Sequence, residues 1–182
     1  IVSTGGLKPG DEIVMTKWAG LEGTSIIAAE KEEKLLETLP RELVDVAKGF
    51  KEYLSVIPES KIAMEVGVSA MHDVTEGGVF GALWELGEAS GVGITAHLDK
   101  IPIKQETIEV CEVFKINPYM LISSGSMMIG CEKGNLLVEK LEEAGINAAV
   151  IGRATEGNDR IVVSRDETRY IGPAGSDELY KI

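Results

Sequence analysis

Apolar residues along the sequence switch between a helical spacing and short β-branched runs, and this pattern predicts helices and strands in mixed order. Residues 41–57 place their apolar side chains three and four positions apart, as an amphipathic helix with one buried stripe does: Leu43, Val46, Ala47, Phe50, Tyr53, Leu54 and Ile57. Similar patterns predict helices over 26–39, 60–66, 78–90, 105–114 and 135–144. Short apolar runs predict strands over 12–16, 68–71, 94–98, 127–131, 148–152 and 161–164. The sequence therefore predicts an α+β fold in which helices pack on a mixed β-sheet.

Composition narrows the classes of partner. The 182 residues suffice for one domain, and 30 Asp and Glu against 18 Lys and Arg give a net charge of −12. A chain of this sign repels a phosphate backbone, so we expect no nucleic-acid partner. No apolar run approaches the roughly 20 residues of a membrane span. We therefore expect a cytosolic protein with no membrane partner.

The two cysteines and two histidines are too few and too scattered to predict a metal site. Cys111 and Cys131 share no motif, and only His72 and His97 could join them as ligands, which is short of a zinc centre. We expect reduced thiols and assign no metal ligand.

The densest group of polar and glycine residues lies where the strand over 68–71 gives way to the helix over 78–90. Its members are His72, Asp73, Thr75, Glu76, Gly77 and Gly78. Free backbone N–H groups at a helix start bind anions, and glycines let a phosphate come close to them. The alternative is an ordinary capped turn with no ligand. The loop is neither a Walker A motif nor a dinucleotide fingerprint.

Two further loops are secondary candidates for a ligand site. One holds Glu22, Gly23 and Thr24 between a strand and a helix, and its alternative is that Thr24 is only the N-cap of that helix. The other holds Asn117, Ser124 and Gly125 ahead of a strand, and its alternative is a serine-rich turn. The residues alone assign no catalytic side chain.

Two motifs resemble those of a known family. They are Met-His-Asp-Val-Thr-Glu-Gly-Gly-Val (71–79) and Glu-Ala-Ser-Gly-Val-Gly-Ile (88–94). Lys-Pro-Gly-Asp (8–11), Ile-Pro-Ile (101–103) and Ile-Gly-Arg (151–153) accompany these motifs in order. Because these motifs occur together and in this order, the sequence resembles the C-terminal domain of the aminoimidazole-ribonucleotide (AIR) synthase superfamily. Within it, the sequence is most similar to the hydrogenase-maturation branch and its AIR-synthase-related neighbours.

The resemblance implies a domain division and a chemistry. It implies a linker over 1–10, an AIR-synthase-like domain over 11–170 and a tail over 171–182. It also implies an N-terminal domain, absent from this sequence, that dimerises and binds ATP and magnesium. The present domain would close over that site and turn His72–Gly78 toward the phosphates or a small-molecule second substrate. The implied reaction is phosphoryl activation or transfer, and the present domain alone would be inactive. The implied partners are therefore its own N-terminal domain and a second copy.

Two other functions fit the same resemblance. The hydrogenase-maturation relatives end in a cysteine-bearing tail, whereas residues 177–182 here contain no cysteine. This difference leaves open a non-catalytic nucleotide-binding or scaffold member, and a small-molecule kinase of the thiamine-monophosphate kinase type. If the loop faces phosphates, Gly78→Asp is expected to abolish turnover and to leave the fold mostly intact.

Overall fold

The computed structural model, which describes residues 2–182, contains one seven-stranded sheet. The strands are β1 (Glu12–Thr16), β2 (Ala70–Asp73), β3 (Gly93–His97), β4 (Met127–Cys131), β5 (Ala148–Thr155), β6 (Arg160–Ser164) and β7 (Glu167–Tyr170). Their order across the sheet is β2-β4-β1-β5-β3-β6-β7. All neighbours are antiparallel except β3 and β6, so the predicted mixed sheet is confirmed.

Helices cover both faces of the sheet. They are α1 (Leu21–Glu30), α2 (Glu32–Leu36), α3 (Arg41–Lys48), α4 (Ile57–Val66), α5 (Gly78–Ser90), α6 (Gln105–Phe114) and α7 (Gly134–Glu143). Side chains alternate along β1, so Ile13 and Met15 join the core under α5 while Val14 joins the core under α4 and α7. A third apolar cluster joins α1, α2, α3 and α6. None of the helices in residues 2–182 combines the length and apolarity that crossing a bilayer requires.

The helix predicted over 41–57 is wrong in its length and partly in its buried stripe. It ends at Lys48, a 3₁₀ turn (Gly49–Tyr53) follows, and a separate helix starts at Ile57. The carbonyls of Tyr53 and Ser55 accept hydrogen bonds from the Lys17 ammonium at 2.8 and 2.6 Å. These carbonyls therefore bond to a side chain and not to the backbone N–H groups of a continuing α-helix.

The side chains that this segment buries also differ from those predicted. Val44, Ala47 and Phe50 are buried, whereas Val46 and Ile57 are 50% and 64% exposed. The predicted stripe therefore included the exposed Val46 and left out the buried Val44.

Other elements also differ from the prediction. The helix predicted over 26–39 begins at Leu21 and breaks at Lys31, where φ is −116° and ψ is 28°. The second strand lies two residues later than predicted, so that it includes His72 and Asp73. Strand β7 was not predicted, because its four residues are all exposed and show no apolar alternation.

Both cysteines are buried thiols in different apolar clusters, and we expect neither to react in the folded protein. Burial raises the pKa of Cys111 to about 12 and that of Cys131 to about 11. The nucleophilic thiolate is therefore scarce at pH 8. A thiol-disulfide reagent such as Ellman's reagent should label both only after denaturant is added. Rapid labelling of the native protein at pH 8 would contradict this.

The same shifts set the direction of a pH effect. Unfolding lets each thiol ionise near its ordinary pKa of 9.0, so the unfolded chain binds fewer protons above that pH. The thiols therefore contribute stability below pH 9 that is lost as the pH rises further.

Candidate functional site

The loop between β2 and α5 is built on two consecutive glycines in the left-handed region. Gly77 has φ +86° and precedes the helix, and Gly78 has φ +66° at its first position. The N–H of Gly77 donates to the Asp177 carboxylate (Oδ2) at 2.7 Å. Thr75 and Glu76 are exposed on the outer side of this loop. The helix start therefore binds an anionic group, and that group belongs to the C-terminal segment.

Gly78 is required by packing. A Cβ there would lie 2.7 Å from the carbonyl oxygens of both Tyr119 and Leu121, which are backbone atoms. The expectation that Gly78→Asp leaves the fold intact is therefore wrong, because any side chain at this position displaces the 119–121 backbone or the helix start.

The three candidate loops meet at Ile122 and Ser123. The N–H of Gly20 donates to Ser123 Oγ at 2.6 Å, and the N–H of Gly23 donates to the Ile122 carbonyl at 3.0 Å. The Ser123 N–H in turn donates to the Thr75 carbonyl at 3.4 Å. Segments far apart in sequence are thus tied through one short stretch of backbone.

The C-terminal segment lies over this junction. Besides Gly77, the buried Asp177 carboxylate accepts from the N–H groups of Ile122 at 3.1 Å and Leu179 at 3.0 Å. Glu178 accepts from the N–H of Asn117 at 2.8 Å, and the Tyr180 hydroxyl donates to Glu76 at 3.0 Å. Three of the candidate residues are therefore hydrogen-bonded to residues 177–180.

The pKa shifts of Glu178 and Tyr180 agree with these hydrogen bonds. Burial alone would raise the pKa of Glu178, but the Lys181 ammonium and the N–H of Asn117 together hold it below its ordinary value. The hydrogen bond to Glu76, and the negative charge of that carboxylate, raise the pKa of the Tyr180 hydroxyl. Glu178 is thus an anion and Tyr180 a neutral donor at pH 7.

His72 and Asp73 lie on opposite faces of the sheet because they are consecutive in β2. The His72 ring lies on the α5 side, with Nε2 2.7 Å from a carboxylate oxygen of Glu85 and Nδ1 3.3 Å from the Thr4 hydroxyl. Asp73 is exposed and pairs with Met127 in the ladder. The structure therefore does not bring the His72 side chain to Asp73.

The first secondary candidates lie inside α1. Gly20, with φ +69°, is the N-cap, so the alternative interpretation of Thr24 as the N-cap is wrong. Thr24 is buried and its hydroxyl bonds to that of Thr107 at 3.0 Å. The carboxylate atom Oε2 of Glu22 is buried and has no hydrogen-bond partner in residues 2–182.

The second set of candidates forms turns around the same junction. The Asn117 side chain accepts from the Tyr119 N–H at 3.0 Å and caps a 3₁₀ turn (Pro118–Met120). Ser124 is half-buried. Gly125 has φ +105°, and its carbonyl accepts from the Lys17 ammonium at 3.0 Å.

Two groups of charged residues at this junction were not singled out from the sequence. Asp177 and Glu178 sit in a segment that was expected to be only a tail. Lys17 and Glu59 form a buried ion pair at 3.1 Å, and Lys17 also ties Gly125 to the 53–55 segment. The sole sequence signal for either group is a charge beside apolar or glycine residues, which is too common to be specific.

The donors fit an anion better than a cation. Backbone N–H groups of Gly77 and Ile122 converge on one carboxylate, and a phosphate oxygen needs the same kind of donor. Among residues 2–182, no three His, Cys, Asp or Glu side chains lie close enough together to hold a metal ion. The chemistry of the donor set therefore suits an oxyanion, which here is a carboxylate and could equally be a phosphate oxygen.

Comparisons with known proteins agree with this architecture. Residues 8–164 match the family model for AIR synthase related protein, C-terminal domain. A Methanocaldococcus jannaschii protein, provisionally named a hydrogenase expression/formation protein, is 31% identical over 166 residues, covering 86% of this chain and 46% of that protein. The chain thus spans about half the length of this curated relative.

Solved structures share the fold. The crystal structure of Escherichia coli HypE, a hydrogenase maturation protein, aligns with a TM-score of 0.81 at 20% identity, covering 100% of this chain and 55% of that one. A HypE structure in complex with ATP aligns with a TM-score of 0.75 at 16% identity, covering 98% and 55%. From the family model, the relative and the shared fold together, this chain belongs to the AIR synthase related family, as its C-terminal domain.

Proposed function

We propose that this chain is the C-terminal domain of a cytosolic ATP-dependent enzyme of the hydrogenase-maturation type, which activates or transfers a phosphoryl group on a small substrate. It is incomplete by itself and acts with an N-terminal domain in a homodimer. The similarity to a hydrogenase expression/formation protein and the fold shared with an ATP-bound HypE support this proposal.

The observation that carries the proposal is the binding of the Asp177 carboxylate by backbone N–H groups. Gly77 and Ile122 come from separate loops, and both donate to the same carboxylate. Oriented N–H donors at a helix start also suit a phosphoryl group, whose negative charge they stabilise without rearranging. This part of the surface therefore has the donors that a phosphate-facing wall needs.

Four of the predicted loop residues have a proposed task. Thr75 and Glu76 are exposed beside the Gly77 N–H and would contact a phosphate or the second substrate from the outer side. Asp73 is exposed at the end of β2 and would face the same side as the N-terminal domain. The magnesium–ATP complex, held mainly by that domain, would supply the electrophilic phosphorus. His72 acts through its contact with Glu85 and positions α5.

A second candidate function is nucleotide binding without turnover. The observation in its favour is that Asp177 already accepts from the Gly77 N–H, so a phosphate can reach that donor only if the carboxylate leaves. A protein in which the segment stays closed would bind a nucleotide through its N-terminal domain and act as a scaffold.

The test uses the natural full-length protein, with the 182-residue chain as a comparison. Magnesium–ATP binding is measured by calorimetry, and phosphate release is measured over a panel of small carboxylate, amide and carbamoyl substrates. Thr75→Val removes an exposed hydroxyl and keeps the β-branched shape. We expect it to lower turnover about tenfold, the worth of one hydrogen bond to a charged group. Thr168→Val, on the exposed strand β7, is the matched control and should leave turnover unchanged.

The outcomes separate the candidates. Saturable binding with phosphate release that Thr75→Val weakens supports the enzyme. Saturable binding with no phosphate release from any substrate supports the scaffold. Absence of binding in the folded full-length protein overturns both, and normal turnover in Thr75→Val overturns the phosphate-facing loop.

A further inference from the structure

A separate cavity lies between the β6–β7 hairpin and the start of α5. Its volume is about 240 Å³. We call it the hairpin cavity.

 The hairpin cavity is lined by Phe80, Leu98, Asn117, Tyr119, Val162, Ser164, Glu167 and Arg169. Its size suits a molecule much smaller than a nucleotide.

The register of the hairpin explains why its charged side chains face the cavity together. Ser164 pairs with Glu167 and Val162 pairs with Arg169, so these four side chains share one face of the two strands. Leu98, Phe80 and Tyr119 form the opposite, apolar side. The cavity therefore has an apolar wall and a charged edge.

The apolar wall is ordered by ring packing. Phe80 and Tyr119 stack with their ring centroids 5.6 Å apart and their planes 13° apart. The Arg169 guanidinium carbon lies 5.5 Å from the centroid of the Phe80 ring, which holds this cation at the cavity. Burial raises the pKa of the Tyr119 hydroxyl, so it stays neutral at pH 7. The wall thus adds no charge of its own.

The charged edge has one group of each sign. Glu167 and Arg169 are exposed, and within residues 2–182 neither forms an ion pair with another side chain. They are two residues apart on the same face of β7, yet they do not bond to each other. Both charges are therefore available to a ligand.

We propose that the hairpin cavity binds a small apolar α-amino acid as its zwitterion. The ligand carboxylate pairs with Arg169, the ammonium group pairs with Glu167, and the side chain packs on Leu98, Val162 and Tyr119. A purely anionic ligand would face Glu167 and a purely cationic one would face Arg169, so a zwitterion is the class that satisfies both. This site is independent of the proposed nucleotide chemistry.

The test titrates the 182-residue chain with L-leucine and follows backbone amide shifts by NMR. Two probes lack one charge each: 4-methylpentanoate has no ammonium group, and 3-methylbutylamine has no carboxylate. We expect saturable shifts with leucine, centred on residues 162–169, and binding about tenfold weaker with either probe, as for loss of one charge-assisted hydrogen bond.

Variants assign the two charges. Arg169→Gln and Glu167→Gln should each weaken leucine binding about tenfold, and Arg169→Lys should recover part of the loss. Arg153→Gln removes a cation from an exposed position on β5 and should bind leucine as the unmodified chain does. Thermal unfolding of every variant checks that the hairpin is folded.

Several results would overturn the proposal. These are the absence of saturable shifts with leucine, equal binding in folded Arg169→Gln, and binding of the two single-charge probes as tight as that of leucine. The last result would assign the cavity to apolar contact alone.

Discussion

Replacing Lys17 with methionine is expected to lower the free energy of unfolding by about 3–5 kcal/mol, the cost of removing one partner of a buried ion pair. The Lys17 ammonium lies 3.1 Å from Glu59 and donates to three backbone carbonyls. Without it, the fully buried Glu59 carboxylate is left with the Thr16 hydroxyl as its hydrogen-bond donor. Urea unfolding followed by circular dichroism measures the difference.

Two further variants show whether the loss arises from the unpaired charge. Lys34 forms an exposed pair with Glu37, and Lys34→Met should change stability by less than about 0.5 kcal/mol. The double variant Lys17→Met with Glu59→Leu removes both charges and should recover part of the loss. If Lys17→Met is no more destabilising than Lys34→Met, the buried pair does not hold the 53–55 segment as the geometry indicates.

Replacing Gly78 with alanine is expected to cost about 3 kcal/mol, which is the sum of left-handed backbone strain and overpacking. The added methyl group would lie 2.7 Å from two backbone oxygens and 2.8 Å from the backbone nitrogen of Leu121. Backbone atoms cannot turn aside as a side chain can, so the clash must move the helix start or the 119–121 segment. Chemical denaturation again gives the change in stability.

Gly91 supplies a control with nearly the same backbone. Its φ is +67°, against +66° at Gly78, and a Cβ at Gly91 meets nothing within 4 Å. Gly91→Ala should therefore show the strain alone, about 1 kcal/mol. Equal losses at the two glycines would mean that close packing at Gly78 contributes nothing.

The sequence was informative wherever a local signal decides the outcome. The ends of α5 follow from glycines at 77, 78 and 91, which take left-handed conformations that other residues adopt only with strain. Strand β1 follows from a short apolar run, and the unbroken burial of residues 13–16 agrees with a sheet covered on both faces. The family resemblance added the fold and is confirmed by the family model.

The contacts that the sequence did not reveal all join distant parts of the chain. Asp177 and Gly77 are 100 residues apart, and no pattern within either segment indicates that they meet. The interruption of the helix predicted over 41–57 likewise involves Lys17, which is remote from residues 53–55 in sequence. In the candidate site, local patterns located the loops, but only the structure supplied the groups that hold those loops together.

The position of β1 in the sheet has a consequence for the order in which the protein can fold during synthesis. Residues 12–16 leave the ribosome well before their two neighbours in the sheet, which are β4, over 127–131, and β5, over 148–155. The middle of the sheet therefore cannot close until residues 148–155 have been made. Pairings of such long range are slow and leave unpaired strands exposed to other chains. Nascent or truncated chains that stop before residue 148 are thus the species most in need of a chaperone.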